Sequence, residues 1–328
     1  MEKITGIGNA LVDVLVRLPD DELLHQLDLP KGGMILIDEQ RQVAVQQAMA
    51  PLHPRLATGG SAGNAMLALA NLHAQPGFIG KIGEDEMGCF LMDNCRERGI
   101  DPHFFLCRNH TGVANTLISP DGERTFATCL GAASMMSAGE ISEDLFRGYQ
   151  ILHIEGYLVQ NHDLMEVVAQ KAKAQGMRLS IDLASYNVVR EDLAFFRHLV
   201  QDYIDIVFAN EEESAAFTGL SDPREALDEI ARHCGIAVVK LGSKGSCVKR
   251  GDDVATVKAR RVDVVDTTAA GDFFAGGFLY ALTREASLKK CLLVGALLSE
   301  NVIQIVGTRL SDERWASINN NVEEILKN

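Results

Sequence analysis

The chain has 328 residues, a length that allows two domains or one large domain with an appendage. Hydrophobic residues make up 47% and charged residues 23%, which is typical of a globular protein and excludes extended disorder. The 31 Lys and Arg residues against 45 Asp and Glu residues give a net charge of −14, which disfavours nucleic acids and anionic membranes as partners. A small anionic ligand needs only a local positive field and stays compatible with this charge.

Short β-prone runs alternate with longer helical patterns along most of the chain. In chain order, the predicted elements are a strand from about residue 4, a helix over 62–72, a strand from residue 76, a helix over 86–99, a strand over 149–156, a helix over 162–176 and three apolar strands at 177–184, 205–211 and 236–242. This alternation predicts an α/β fold with a doubly wound, mostly parallel sheet and helices on both faces.

Two stretches, at about 11–38 and 103–131, contain β-prone runs with little helical period. In the second stretch, the turn PDGE between two β-prone runs is typical of a hairpin. We therefore expect a small β-sheet lid, inserted into a single domain that spans residues 1–328. Such a lid would cover a site at the carboxyl ends of the strands of the main sheet.

No sequence feature indicates a membrane anchor or an oxidised, secreted protein. The longest uncharged apolar run covers residues 273–282, which is too short to cross a bilayer. The N-terminal segment contains Asp13 and Arg17 and lacks a small-residue cleavage site, so we do not interpret it as a signal peptide. The seven cysteines include no CxxC pair, and we expect reduced thiols in a cytoplasmic protein.

The most informative segment is DVVDTTAAGDFFAGGFLYAL, residues 263–282. A strand-like start is followed by the small residues Ala269, Ala270 and Gly271 and then by an apolar helix. Small residues let a ligand approach the backbone, and the free N–H groups of a helix start favour a phosphate or oxyanion. Asp272 in that first turn can accept a proton from a nearby hydroxyl, which suits phosphoryl transfer to an alcohol. The spacing alone fits equally well an acid that stabilises the helix dipole.

Two further segments are candidates for binding a sugar. In GGSAGN, Gly59 and Gly60 free the backbone for a ligand, and Asn64 can donate and accept hydrogen bonds. Asn9 and Asp13 follow the first strand, and an amide paired with a carboxylate can bind vicinal sugar hydroxyls. The structural alternatives are a flexible turn with a helix cap for GGSAGN and a simple turn residue for Asn9.

The second half of the chain contains candidates for the nucleotide side. Asn210 and Glu213 follow a predicted strand with the spacing of a helix N-cap and its N3 partner. The functional interpretation is a carboxylate that orients hydrated Mg²⁺ near phosphates. Gly242 and Gly245 lie in a glycine-rich turn, which either borders a nucleotide or is an ordinary hairpin turn.

Two absences narrow the class of enzyme. The sequence contains neither a GxxxxGK[ST] loop nor an HRD and DFG set, so a phosphotransferase of this sequence belongs to neither of those classes. GIGNAL, near the start, lacks the third glycine of GxGxxG. A nicotinamide-dependent oxidoreductase is therefore a weaker second hypothesis.

Together these motifs resemble the ribokinase-type (PfkB) carbohydrate kinase family. DTTAAGDFFAGGFL fits the C-terminal signature of that family at every constrained position. The N-terminal signature fits GGSAGN and Gly83, but Met66 and His73 stand where smaller residues are usual. The resemblance extends from Ile4 to about Arg309. Several runs are most similar to the adenosine-kinase-like branch, namely GIGNALVD, KGGMILID, DGERT, HIEGYL and FANEEE.

The resemblance implies a ribokinase-like fold with a β-sheet lid and an enzyme that uses ATP and Mg²⁺. It implies that Asp272 takes the proton from the acceptor hydroxyl while Ala269, Ala270 and Gly271 donate backbone N–H groups to the phosphoryl group. The other implied roles are sugar binding by Asn9, Asp13, Gly59, Gly60 and Asn64; phosphate and water-mediated Mg²⁺ binding by Asn210 and Glu213; contact with ATP at Gly242 and Gly245; and, as in some members, a monovalent cation such as K⁺ at Asp266 and Thr268.

The expected reaction is ATP-dependent phosphorylation of a primary hydroxyl of a nucleoside or sugar. The resemblance favours an adenosine-like nucleoside, whose base needs an apolar slot formed by Phe104, Phe105 or Phe126, unless these pack the lid core. A free-sugar kinase of the ribose or fructose type is the alternative, because Asn9 and Asp13 suit either sugar. A non-catalytic sugar or nucleotide sensor is less favoured, because AAGD is intact. Lids of this family can pair, so a homodimer is a further expectation.

Overall fold

The structure is a computed structural model that describes residues 2–327. In this range the chain forms fourteen β-strands and twelve α-helices. The strands are β1 (Ile4–Ile7), β2 (Leu11–Arg17), β3 (Met34–Leu36), β4 (Arg55–Gly59), β5 (Gly77–Gly83), β6 (Asp101–Cys107), β7 (Gly112–Ile118), β8 (Arg124–Cys129), β9 (Ile151–Glu155), β10 (Arg178–Asp182), β11 (Ile206–Asn210), β12 (Ile236–Lys240), β13 (Ser246–Arg250) and β14 (Asp253–Val257). The helices are α1 (Glu22–Gln26), α2 (Glu39–Met49), α3 (Ser61–Asn71), α4 (Glu86–Glu97), α5 (His162–Ala174), α6 (Tyr186–Glu191), α7 (Leu193–Asp202), α8 (Glu211–Thr218), α9 (Pro223–Ile230), α10 (Ala270–Thr283), α11 (Leu288–Val302) and α12 (Asp312–Lys327).

Nine strands form one large sheet in the order β14-β13-β12-β11-β10-β9-β1-β5-β6. All neighbouring pairs from β12 to β6 are parallel, and β13 and β14 extend one edge as antiparallel strands. Strands β1 and β9 are buried along their whole length, because helices cover both faces of a parallel sheet. The doubly wound, mostly parallel sheet that the sequence predicts is confirmed.

Helices cover both faces of the large sheet and enclose two hydrophobic cores. Leu69 of α3, Phe273 of α10 and Leu298 of α11 lie in one core, and Val168 of α5 and Phe196 of α7 lie in the other. Burying each such side chain stabilises the fold by about 1.5–3 kcal/mol. Among residues 2–327, no helix combines the length and the apolar character that crossing a bilayer requires.

The remaining five strands form a second, smaller sheet in the order β3-β8-β7-β2-β4, which we call the lid. Strands β7 and β8 are antiparallel and are joined by a turn between Ser119 and Glu123, where the sequence has PDGE. Strands β2 and β3 fall within the first predicted lid segment, and β7 and β8 fall within the second.

Two boundaries of the lid differ from the sequence prediction of 11–38 and 103–131. Strand β6 pairs with β5 in the large sheet, so the second lid segment begins at β7 rather than at residue 103. The physical reason is that β5, α4 and β6 form a βαβ unit, whose crossover returns β6 to the same sheet. Strand β4, outside both predicted segments, pairs with β2 and completes the lid.

Polar side chains collect at the carboxyl ends of the central strands of the large sheet. Asn9 follows β1, Glu155 ends β9, Asp182 ends β10, Asn210 ends β11 and Lys240 ends β12. Because these strands are parallel neighbours, their carboxyl ends lie along one edge of the sheet, where α/β proteins bind ligands.

Candidate active site

A cavity of about 1170 Å³ lies between the carboxyl ends of the large sheet and the lid. Most of the predicted site residues line it, namely Asn9, Asp13, Gly60, Asn64, Asn210, Glu213, Thr268, Ala269, Ala270, Gly271 and Asp272. The predicted residues that do not line it are Gly59, Gly242, Gly245 and Asp266. Residues from both ends of the chain therefore meet at one place.

Helix α10 brings the AAGD segment to the cavity. The helix begins at Ala270, directly after Ala269, which has a φ of 59°. A Cβ at Gly276 would lie 2.8 Å from the carbonyl oxygen of Ala65 in α3. Gly277 makes the same kind of approach to α11, at 2.9 Å from a backbone oxygen. These two glycines let α10 pack closely between α3 and α11, and the packing fixes its N terminus at the cavity.

Asp272 is the third residue of α10, and its carboxylate accepts two side-chain hydrogen bonds. Ser61 Oγ donates to Oδ1 over 2.7 Å, and Asn64 Nδ2 donates to Oδ2 over 2.9 Å. Burial raises the pKa of Asp272 to about 6, although these two bonds lower it. A carboxylate with this pKa is ionised at neutral pH and is still basic enough to take a proton from a hydroxyl.

The ammonium group of Lys240 lies beside the start of α10. A Cβ on Gly271 would lie 2.9 Å from Lys240 Nζ, so the glycine leaves space for this cation. Nζ donates a hydrogen bond to Asp182 Oδ2 over 2.6 Å. Burial lowers the pKa of Lys240, but the negative charges of Asp182 and Glu213 raise it above its usual value. The Lys240 ammonium and the N–H groups at the start of α10 thus lie side by side. Together they form a site that suits phosphoryl oxygens.

Asn64 presents a second polar atom beside Asp272. Its Oδ1 is buried and has no hydrogen-bond partner in the part of the chain that the structure describes. Its amide nitrogen already donates to Asp272, so the oxygen is the group that can accept a bond from a hydroxyl in the cavity. A buried acceptor without a partner costs free energy that such a ligand bond would recover.

Asn9 is bonded to a buried glutamate. Asn9 Nδ2 donates to Glu155 Oε1 over 2.6 Å, and the backbone N–H of Ala62 donates to Oε2 over 3.2 Å. Burial raises the pKa of Glu155 to about 7, although both hydrogen bonds oppose the rise. Glu155 therefore connects β1 and β9 with the start of α3 and fixes the orientation of the Asn9 amide at the cavity.

Asp13 lies on β2 of the lid next to two glycines with distinct structural roles. A Cβ on Gly59 would lie 2.3 Å from Asp13 Oδ1, so Gly59 makes space for this carboxylate. Gly60 has a φ of 84°, and a Cβ there would lie 2.1 Å from the backbone oxygen of Asn9. Burial raises the pKa of Asp13 to about 7, and the negative charge of Asp272 adds to the rise.

Asn210 and Glu213 form the capping box of α8, which is the structural interpretation of their spacing. The side-chain and backbone N–H groups of Asn210 donate to the two Glu213 carboxylate oxygens over 2.7 and 2.8 Å. The backbone N–H of Glu213 donates to Asn210 Oδ1 over 2.8 Å. Burial raises the pKa of Glu213 to about 7, and the negative charge of Asp182 adds to the rise.

The carboxylates on this side of the cavity fit a hydrated Mg²⁺. Within residues 2–327, no group of three or more His, Cys, Asp or Glu side chains is placed to bind a metal ion directly. Mg²⁺ usually keeps several waters and binds through one or two carboxylates together with substrate phosphates. Asp182 and Glu213, which both line the cavity, would hold such an ion through its water molecules, because their oxygens already bind Lys240 and Asn210, and this Mg²⁺ site stays a prediction.

Gly242 and Gly245 form the turn between β12 and β13. Gly245 has a φ of 112°, and a Cβ there would lie 1.9 Å from the backbone oxygen of Val257, so the hairpin requires glycine. Gly242 also has a positive φ, of 54°. The hairpin interpretation thus accounts for both glycines, and their contact with ATP stays a prediction.

The side chains of Asp266 and Thr268 contact an arginine of the lid. Arg124 Nη2 lies 2.5 Å from Asp266 Oδ2, and Arg124 Nη1 donates to Thr268 Oγ1 over 2.9 Å. Asp266 also accepts hydrogen bonds from the backbone N–H groups of Thr268 and Gly307, each over 2.8 Å. The guanidinium group lies at the two side chains predicted to bind a monovalent cation, so these side chains do not fit such an ion.

Apolar lid side chains form the opposite wall of the cavity. Met34, Leu36 and Phe126 line it, and Met34 and Leu36 are 53% and 59% exposed. Of the three phenylalanines expected at a base slot, Phe126 is the one at the cavity. Phe104 and Phe105 lie on β6 in the large sheet, where Phe104 packs edge-on against another ring.

The two departures from the N-terminal signature lie away from the cavity lining. Met66 is buried in α3 and packs under β1, where a Cβ on Gly6 would lie 3.0 Å from Met66 Cγ. His73 follows α3 with a φ of 62°. These residues affect helix packing and chain reversal rather than the groups that face a ligand.

Sequence reasoning missed five side chains that shape the site, namely Ser61, Arg124, Glu155, Asp182 and Lys240. Glu155, Asp182 and Lys240 are charged residues at the ends of apolar strands, and that position is itself a signal in a parallel sheet. Ser61 lies inside the GGSAGN segment. For Arg124 no local pattern indicates its partners, which lie far along the chain.

The fold and this cavity together define an α/β phosphotransferase that acts on small molecules. A family model described as pfkB family carbohydrate kinase matches residues 28–315, and the chain belongs to this family. The chain is therefore an ATP-dependent kinase that phosphorylates a nucleoside or a sugar. The predicted family and its ribokinase-like fold are confirmed.

Relatives include both nucleoside and sugar kinases. Adenosine kinase 2 of Arabidopsis thaliana is 24% identical over 331 residues, which cover 93% of this chain and 94% of that protein. Ribokinase of Haemophilus influenzae is 29% identical over 252 residues, which cover 74% of this chain and 79% of that protein. The solved structure of adenosine kinase from Sinorhizobium meliloti has a TM-score of 0.86 at 30% identity and covers 98% of this chain and 99% of that one. A probable sugar kinase from Rhizobium etli has a TM-score of 0.87, also at 30% identity, and covers 98% of both chains.

Proposed function

We propose that this kinase phosphorylates a primary hydroxyl of an adenosine-like nucleoside, with Asp272 as the catalytic base. The observation that carries the proposal is the position of the Asp272 carboxylate. It is half-buried at the N terminus of α10, near Lys240, in the cavity that Asn9 and Asp13 also line. A proton acceptor and an anion site thus lie together beside polar groups suited to a sugar.

In the proposed reaction, the acceptor hydroxyl lies between Asn64 and Asp272. Its oxygen forms a bond to the γ-phosphorus of ATP while the bond from that phosphorus to the bridging oxygen of ADP breaks. The hydroxyl proton passes to Asp272, and ADP leaves with the electron pair of the broken bond. The pKa of about 6 suits this role, because Asp272 is ionised before the transfer and can release the proton to solvent afterwards.

The charge of the transferring phosphoryl group is stabilised from two directions. The backbone N–H groups of Ala269 and Gly271 lie at a helix start, where they have no carbonyl partner within the helix. The N–H of Ala270 also donates to the Thr267 carbonyl over 3.2 Å, so it would be shared with a phosphoryl oxygen. The ammonium of Lys240 lies next to Gly271 in buried surroundings, where electrostatic interactions are strong. Mg²⁺ bound near Asp182 and Glu213 would neutralise further phosphate charge.

The acceptor preference follows from the two kinds of surface in the cavity. Asn9, Asp13 and Asn64 would bind ribose hydroxyls, and Gly59 and Gly60 shape this polar side. The apolar wall on the lid would pack against a nucleobase, since a free sugar has no comparable apolar face. Adenosine kinase 2 aligns over 93% of this chain and ribokinase over 74%, which supports the same choice.

A free-sugar kinase is the second candidate. The polar groups Asn9 and Asp13 do not depend on a base, and ribokinase is among the relatives at 29% identity. In that case the apolar lid wall would pack against other lid residues when the lid closes over a small sugar.

A coupled ADP-release assay with adenosine, inosine, ribose and fructose, at fixed ATP and Mg²⁺, tests the proposal. We expect the highest kcat/KM with adenosine. A higher value with ribose or fructose would establish the free-sugar alternative. The same four compounds should raise the thermal midpoint in the same order, because ligands that bind the native state stabilise it.

Two outcomes would contradict the proposed reaction altogether. Ligand binding without phosphorylated product over the whole panel would favour a sensor. A change in NADH fluorescence on mixing would favour an oxidoreductase. The cytoplasmic location, and the pairing of two copies through the lid, stay predictions that cell fractionation and light scattering can test.

A further inference from the structure

A buried side chain supplies positive charge to the loop that precedes α10. Arg124 belongs to β8 of the lid, and its side chain is 9% exposed while that of Asp266 is fully buried. The guanidinium contacts both Asp266 and Thr268. This loop therefore has a cation that is covalently part of the chain.

The Asp266 carboxylate has little capacity for a second cation. Oδ1 accepts a hydrogen bond from the Thr268 backbone, and Oδ2 accepts one from Gly307 and also contacts Arg124. A carboxylate offers about four acceptor positions, so most are in use. A metal ion at the remaining position would lie close to the guanidinium in buried surroundings, where like charges repel strongly.

The contact between Arg124 and Thr268 also affects the proposed anion site at the start of α10. Thr268 directly precedes Ala269, whose left-handed conformation starts α10. Because Arg124 holds the Thr268 side chain in place, it also helps to position the next residue, Ala269, and the helix start that follows it. The positive charge also lies on the lid side, so its presence depends on the lid being in contact with this loop.

We propose that Arg124 is the resident cation of this loop and that the enzyme has no requirement for a monovalent metal ion there. The catalytic consequence rests on the proposed kinase function, whereas the effect on the loop does not. An arginine side chain cannot leave the loop as a bound metal ion can. Neither the reaction rate nor the stability of the wild-type protein therefore depends specifically on K⁺. Removal of the side chain creates a site that a small external cation can fill.

The first experiment uses the wild-type protein. Initial rates and thermal midpoints are compared in KCl, NaCl and tetramethylammonium chloride at equal ionic strength. We expect identical values in the three salts. A K⁺-specific increase in the rate or in the midpoint overturns the proposal, because it reveals a metal site that the guanidinium does not replace.

The second experiment uses variants at the arginine. Arg124→Ala should lower kcat by about 10²-fold, as expected for loss of one fixed group at a charge-stabilising site. Guanidinium ion at millimolar concentration, or K⁺, should restore part of the rate and raise the midpoint of Arg124→Ala more than tetramethylammonium does. Arg124→Lys should keep more activity than Arg124→Ala. The exposed Arg108, changed to Ala, is the matched control and should show no cation effect.

The outcomes separate this inference from the proposed function. If the wild type phosphorylates no acceptor, the proposed function fails, and the midpoints in the three salts still decide the cation question. If Arg124→Ala does not fold, Arg124→Lys and the wild-type comparison decide it. A folded Arg124→Ala with unchanged kcat, or with a loss that no added cation reduces, overturns the proposal.

Discussion

The two walls of the cavity are built from different kinds of residue. The wall from the large sheet and α10 carries charged side chains such as Lys240 and Asp272, each positioned by hydrogen bonds to other residues. The wall from the lid carries the Asp13 carboxylate next to the start of α3 and is otherwise lined by apolar side chains such as Met34 and Phe126, which have no directional bonds to make. Under the proposed function, the first wall carries out the chemistry and the second wall determines which acceptor fits. Substitutions in the two walls should therefore affect kcat and KM separately.

The largest effect should come from the proposed base. Asp272→Asn keeps the shape of the side chain but cannot take a proton, so we expect kcat to fall by about 10²–10⁴-fold. ADP-release kinetics measure the change. Asp312→Asn, at the exposed first turn of α12, is the matched control for the helix-dipole interpretation and should leave kcat unchanged. Near wild-type turnover in Asp272→Asn would exclude its role as base.

The next prediction concerns Lys240, the positively charged side chain of the same wall. Lys240→Met removes a charge at the proposed phosphoryl site, and we expect kcat to fall by about 10²–10³-fold. Lys240→Arg, which keeps the charge, should recover part of this loss. The control is Lys289→Met, because that side chain is exposed on α11 and does not line the cavity. A loss confined to the acceptor KM would place Lys240 outside the chemical step.

The pH dependence of kcat tests whether Asp272 is the base in the charged wall. Since the pKa of Asp272 is about 6, the ionised base is lost as the pH falls through that value. We expect kcat to reach a plateau above it and to decline about tenfold per pH unit well below it. Direct quantification of ADP by chromatography avoids any effect of pH on coupling enzymes. A flat profile between pH 5 and pH 7 would argue against Asp272 as the titrating group.

A substitution in the lid wall should have a smaller effect, on KM rather than on kcat. Phe126→Ala should raise the KM for adenosine by about tenfold through lost contact with the base, and kcat should change little. The KM for ribose should stay constant. Leu106→Ala, on the exposed edge of β6 in the large sheet, is the control. Equal increases for both acceptors would show that the lid does not distinguish a base from a bare sugar.

The last prediction concerns stability rather than catalysis, at Asp13. Its pKa is about 7 in the folded protein against 3.8 for an unperturbed Asp side chain, so the folded state binds the proton more tightly. Ionisation as the pH rises through this window therefore weakens folding, by about 1.4 kcal/mol per unit of difference. We expect Asp13→Asn to raise the thermal midpoint at pH 8 and to raise it less at pH 5. Asp93→Asn, on an exposed side chain, should change neither value. A lower midpoint at pH 8 would contradict the prediction.

Much of the fold could be predicted because the large sheet obeys simple periodicity. Buried parallel strands appear as short apolar runs, and the helices between them keep an apolar face. The lid boundaries were harder for a physical reason. The aromatic run of β6 is compatible with either sheet, and pairing decides between them. Strand β4, RLATG, has exposed residues and no clear alternation, so its role depends on its partner β2.

The site was visible in the sequence where its residues are contiguous. Ala269 to Asp272 lie on one helix start, and their types and spacing carry the chemical meaning. Lys240 and Glu155 are single charged residues at separate strand ends, and their importance depends on the order of the strands in the sheet. The Arg124 contacts join the lid to a loop far along the chain, and such a pairing has no local signature.

The close approach of α10 to α3 at Gly276 has a consequence for how this protein can diversify. Asn64 belongs to α3 and Asp272 to α10, so the distance between them is set inside one packed helix pair. Strands β3, β7 and β8, which carry the lid residues that line the cavity, lie outside that pair. Mutations in the small sheet can therefore change which acceptor the enzyme prefers, while the distance between Asn64 and Asp272 stays the same.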